Sequence, residues 1–124
     1  APDKPKITGQ SNGNPGTPYN YTFNSIDPNG HKVFYYVDWG DKTYENWFGP
    51  FLSGFEQTVN HTYNKQGVYT IRAKAKDVYG AESDWGTLTI TMKKDKAKNS
   101  VLFWKLIEQF PILQKLLQQL GFGV

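Results

Sequence analysis

The sequence predicts an all-β fold: an antiparallel sandwich of six to seven strands with immunoglobulin-like topology, followed by a C-terminal amphipathic helix kinked near Pro111. Three observations carry this. Short runs of alternating residues recur with turn signals between them. Aromatic residues, which favour strands, make up 16% of the chain, as eight Tyr, eight Phe and four Trp. Helical periodicity is absent before residue 99 and clear after it.

The centre of the pattern is Val33–Asp41, VFYYVDWGD. Val33, Tyr35, Val37 and Trp39 alternate with Phe34, Tyr36 and Asp38, which makes a central strand with large side chains on both faces. Ahead of it, Lys6–Thr8 forms a short first strand, 11–18 a loop, and Tyr19–Asn24 a half-buried strand with Tyr21 and Phe23 inward. Asp27-Pro28-Asn29-Gly30 is a turn, because Pro presets φ and Gly accepts positive φ. After it, 40–55 reads as a long aromatic loop. Phe55–Tyr63 returns as a strand with Phe55 and Val59 on one side, and 64–67 turns the chain. In Val68–Lys76, Tyr69, Ile71, Ala73 and Ala75 face inward and Thr70, Arg72, Lys74 and Lys76 outward. Val78–Ala81 is a turn, and Trp85–Met92 the last strand, with Leu88, Ile90 and Met92 inward.

The expected organisation is a sandwich over 1–92, a basic linker over 93–99 and an amphipathic tail over 100–124. Ser100 caps a helix on which Phe103, Leu106, Phe110, Leu113, Leu117 and Leu120 recur every three or four residues. Pro111 kinks it and Gly121 stops it. With Lys105, Glu108 and four Gln the stretch is too polar for a membrane span. Its apolar face needs cover, so Leu102 and those six residues are the expected protein-contact positions. A membrane surface met by the lysines of 93–98 is the less favoured cover.

Composition removes several function classes. The chain has no Cys, which excludes a disulfide framework, thiolate metal sites and a Cys nucleophile. The net charge of +3 comes from dispersed lysines, with Arg72 the only Arg, so no nucleic-acid footprint is expected. A start at Ala1-Pro2 is expected of a processed product whose leader has been removed. Sequons at Asn20 and Asn60 fall on outward strand positions and are candidate N-glycosylation sites. The start and the sequons together lead to the expectation of a protein outside the cell or on its surface.

Tyr36-Val37-Asp38-Trp39-Gly40-Asp41, His61-Thr62-Tyr63, Gly67-Val68-Tyr69-Thr70-Ile71 and Asp77-Val78-Tyr79-Gly80 follow in order. They resemble the signatures W-D-F-G-D-G, H-x-Y, G-x-Y-x-V and D-x-x-G of the polycystic kidney disease (PKD) domain, over roughly residues 5–92. Trp47-Phe48-Gly49-Pro50, Ser53-Gly54 and Ala81–Trp85 look like a branch found in secreted archaeal and bacterial surface proteins, where a short apolar tail often follows. The resemblance implies an extracellular, non-catalytic, immunoglobulin-like spacer or interaction module. The chain departs at Lys42, where Gly is usual, and at Asn29 and His31, where Asp is frequent.

Three chemistries deserve weighing. Asp38/Asp41 and Glu82/Asp84 are carboxylate pairs of the kind that run glycoside hydrolysis, but such acids more often close turns, and that is the reading adopted. No enzymatic role and no cofactor are expected. His31 and His61 lie in no ligand spacing and read as structural. Asp27 and Asn29 echo part of an oxygen-rich calcium loop, and Asp77 and Asp84 are expected at a sandwich end, but the bidentate Glu is missing, so calcium is a minor candidate. Tyr44, Trp47, Phe48 and Phe51, with Phe55, are expected to fold over the sheet; stacking on sugar rings is the alternative. Tyr63 is expected to tie the two sheets through its hydroxyl. The function that follows is structural: protein–protein contact, with self-assembly into an oligomer or filament through the tail and edge strands. Carbohydrate binding or adhesion is the alternative.

Overall fold

Alternation in the central strand, β4 (Val33–Asp38), is realised residue by residue: Val33, Tyr35 and Val37 are buried, and Phe34, Tyr36 and Asp38 are half-buried on the other face. The computed structural model describes residues 1–93. The expected helix, the linker beyond Lys93 and the contact positions Leu102–Leu120 lie outside the described residues. The other strands are β1 (Lys6–Gly9), β2 (Asn12–Gly13), β3 (Pro18–Asn24), β5 (Tyr44–Phe51), β6 (Gln57–Thr62), β7 (Gly67–Asp77) and β8 (Gly86–Met92). They form a three-stranded sheet of order β1-β3-β6 and a five-stranded sheet of order β2-β8-β7-β4-β5. Every pairing is antiparallel except β2 with β8, which is parallel.

The core is built from rings fitted against small residues. Tyr35 of β4 faces Ala75 of β7, and Val37 faces Ala73, so the alanines leave room for bulk from the opposite sheet. Tyr21 and Phe23 of β3 supply it, both fully buried. Trp39 lies between the layers, 1% exposed, with its ring 5.6 Å from Tyr21 and 6.0 Å from Phe23. Truncating a ring so enclosed removes about 3–5 kcal/mol. Ile71, Ile90 and Met92 close the remaining space.

Two hydroxyls lock the layers together. Tyr63 donates to the Trp39 carbonyl at 2.6 Å, the tie expected from sequence. Tyr35 accepts the Ser25 N–H at 2.9 Å. Close backbone approach explains two glycines. Gly40 has φ +81° and lies where a Cβ would meet the Thr70 carbonyl at 2.6 Å, and a Cβ on Gly86 would collide with the Pro5 carbonyl.

Three expectations are corrected. Residues 44–51 are strand β5, not loop. Register shifts against β4 interrupt their alternation, and Pro50 is tolerated because β5 is a sheet edge. The loop 11–18 contains β2, a two-residue strand too short to leave a periodic signal. Phe55 precedes β6 and is 61% exposed rather than inward.

Candidate functional site

Among the described residues, the outward face of the five-stranded sheet carries an aromatic cluster of Tyr36, Tyr44, Trp47 and Trp85. Register sets it up: in the β4–β7 pairing Phe34 lies opposite Lys76, Tyr36 opposite Lys74, and Asp38 opposite Arg72. Tyr36 is the hub. Its ring is stacked with Tyr44 at 5.8 Å and 15°, tilted against Trp47 at 5.6 Å and edge-on to Trp85 at 6.1 Å. The cations lie over these rings. The Arg72 guanidinium is 4.6 Å and the Lys74 ammonium 4.9 Å from the Trp85 centroid, and Lys76 is 4.5 Å from that of Trp47. Each such contact contributes about 0.5–1 kcal/mol at an exposed site, which biases the long side chains toward the rings.

Carboxylates complete the face. Arg72 donates to Asp38 Oδ2 at 2.9 Å, and Lys74 lies 3.9 Å from Glu82. The Arg72 bond, helped by the Gly40 N–H, holds the Asp38 carboxyl below the ordinary carboxylate range. Between Tyr36, Trp47, Arg72, Lys74, Glu82 and Trp85 runs an open groove of about 280 Å³, room for one ring-sized group.

Four aspartates, Asp38 among them, close turns in the same way. Asp27, Asp38, Asp41 and Asp77 each accept the backbone N–H two residues on, from Asn29, Gly40, Thr43 and Tyr79, at 2.8–3.0 Å. These are Asx turns, the turn-closing geometry expected of Asp38 and Asp41. Asp41 also bonds His61 Nε2 at 2.8 Å. Burial pushes the Asp41 carboxyl up, but its bonds from Thr43 and His61 outweigh burial and leave it below the ordinary range. The His61 ring is stacked on Trp39 at 4.3 Å and 4°, with Tyr63 edge-on at 4.6 Å, so it packs between two core rings. Asp77 is also pushed up by burial and brought below its ordinary value by the N–H groups of Ala81 and Tyr79.

The sequence-derived sites divide. The four rings proposed to stack on sugars do not make one platform. Phe48 and Phe51 turn inward against Tyr35, at 6.1 and 6.2 Å, while Tyr44 and Trp47 join the outer cluster. Asn20 and Asn60 are exposed as expected, and they are cross-strand partners whose side chains hydrogen-bond at 3.1 Å. Of the calcium candidates, Asp27 is buried, and Asn29 bonds it through its backbone N–H. Asp77 lies near Asp27 together with His31 rather than with the exposed Asp84. Sequence reading missed Tyr36, Arg72, Lys74 and Trp85 as one site. The signal was present in the outward phases of two strands, which become one surface once β4 and β7 are paired.

The two sheets and the ring-based core between them define an immunoglobulin-like sandwich module. Residues 1–92 match the family described as PKD domain, and the chain belongs to that family. It is similar to the solved PKD domain of an M14-like peptidase from Thermoplasmatales archaeon SCGC AB-540-F20, at 54% identity and a TM-score of 0.74, over 75% of this chain and 96% of that one. It shares its fold with the PKD domain of the human VPS10 domain-containing receptor SorCS2, at 16% identity and a TM-score of 0.54, over 77% of this chain and 76% of that one. No curated protein sequence matches it.

Proposed function

We propose that the chain is an extracellular, non-catalytic structural module that makes protein–protein contacts through the outer face of its five-stranded sheet. The observation that carries this is the clustering of Tyr36, Trp47 and Trp85 with Arg72. Trp, Tyr and Arg are the residues that dominate binding energy at protein interfaces. Cationic heads lie over the rings of both tryptophans, and they add charge recognition that an acidic protein partner uses and a neutral sugar does not. Three cations, Arg72, Lys74 and Lys76, stand against two acids, Asp38 and Glu82, so the complementary surface combines an apolar residue with carboxylates. The 54% identical domain of an M14-like peptidase supports an accessory role of this kind, and with the exposed sequons it supports an extracellular setting.

The test is an array of peptides pairing Asp or Glu with an apolar residue, beside an array of neutral glycans. Retention on the peptides, lost at high salt and in Trp85→Ala, is expected. Retention only on the glycans favours the second reading, carbohydrate binding, for which the exposed Tyr44 ring stacked on Tyr36 is the favouring feature. Self-assembly through the apolar residues of 102–120 is a further part of the proposal, and it rests on their sequence periodicity. Light scattering of the full chain against a chain ending at Lys93 tests it, and equal association states would remove it.

A further inference from the structure

At one end of the sandwich, Asp27, His31 and Asp77 each offer a ligand atom within 4.8 Å of the other two. The fold brings them together from three segments. Asp27 opens the turn after β3, His31 lies just before β4, and Asp77 ends β7, paired in register with Val33. Both carboxylates are buried, Asp27 at 3% and Asp77 at 6% exposure. Each is oriented through one oxygen. Asp27 Oδ1 accepts from Asn29, and Asp77 Oδ1 from Tyr79 and Ala81. That leaves Asp27 Oδ2 buried with no hydrogen-bond partner, and His31 Nδ1 likewise, 3.6 Å from Asp27 Oδ1. Two acids and an imidazole, with unpartnered donor atoms on one acid and the ring, call for positive charge between them.

We propose that Asp27, His31 and Asp77 form a binding site for a divalent transition-metal cation of the zinc class. Two carboxylate oxygens and one imidazole nitrogen are a donor set that suits Zn²⁺ or Co²⁺, with water in the open position. Calcium takes six to eight oxygens and gains little from a nitrogen. The hydrogen bonds that orient the carboxylates are the outer support a metal site needs. Ligands about 2.1 Å from a tetrahedral ion stand about 3.4 Å apart, so binding draws the three donors in by up to about an ångström. His31 is about one-third exposed, which gives the ion access from solvent. The bound ion ties the turn before β4 to the end of β7.

Titration of the full chain with Zn²⁺ and Co²⁺, followed by melting temperature and by cobalt visible absorption, tests this. A 1:1 complex is expected, with a rise in melting temperature of roughly 10 °C at a hundredfold excess over Kd. His31→Gln and Asp27→Asn should each weaken binding at least tenfold, and Asp27→Asn keeps the turn-closing oxygen, so it still folds. His61→Gln, which removes the chain's other histidine, should leave binding unchanged. Absence of binding, binding that survives His31→Gln, or a larger shift with Ca²⁺ than with Zn²⁺ would each overturn the proposal.

Discussion

At the scale of single residues, hydrogen bonds separate tyrosines that burial alone treats as equal. Tyr21 and Tyr63 are both 0% exposed, but the Tyr63 hydroxyl bonds the Trp39 carbonyl and the Tyr21 hydroxyl has no partner. Tyr63→Phe should cost about 1–2 kcal/mol in urea unfolding, whereas Tyr21→Phe should be neutral or slightly stabilising. Lys42 gives a prediction of opposite sign. It holds φ +71°, a conformation that favours glycine, in the turn closed by Asp41. Lys42→Gly should raise stability by about 0.5–1 kcal/mol, the relief of left-handed strain less the added chain entropy. The turn acids set the response to pH. Asp38, Asp41 and Asp77 all have folded pKa values below those of an unfolded Asp. Their contribution is complete above about pH 4 and is lost as pH falls through the lower folded values. Melting temperature should therefore drop on acidification below pH 4, and Asp38→Asn should flatten that drop. A melting temperature that stays level from pH 5 to 2 would refute this.

At the scale of elements, most strands were legible because their burial pattern has period two. In β4 and β7 each alternation in the sequence is an alternation of buried and open residues in the fold. β5 was not legible, and the reason is physical. Two register shifts against β4 break the period, and Gly49-Pro50 carries the signature of a turn while sitting in an edge strand. The same irregularity sends adjacent rings to opposite faces. Phe48 packs on the core and Trp47 on the outer cluster. Phe48→Ala should cost about 2–4 kcal/mol, and Trp47→Ala less than about 1 kcal/mol, measured by thermal and denaturant melts. Equal losses would mean that both rings serve the core. The Asx turns were legible at Asp38 and Asp41, where acids flank a glycine at a strand end. The approach of His31 to Asp77 was not, because it depends on the β4–β7 register rather than on any spacing in the chain.

At the scale of the whole molecule, the fold separates stability from contact. Ala1–Lys93 is a compact unit of its own. Its core lies between the sheets, and the candidate contact face lies on the outside of the larger one. The family resemblance was legible because its motifs mark core and turn positions: Trp39, Tyr63 and Gly40 do architectural work. The contact face was less legible because it is made of outward positions, whose side chains the fold leaves unconstrained until strands are paired. On the function proposed above, the outer face of the sandwich makes the protein contact without residues beyond 93. The most direct test is a chain ending at Lys93, followed by melting and by retention on the acidic–apolar peptide array. A cooperative melt and retention equal to that of the full chain, abolished by the Trp47→Ala/Trp85→Ala pair, are expected. A chain that melts cooperatively and is no longer retained, while the full chain is, would contradict it and move the contact to residues beyond 93.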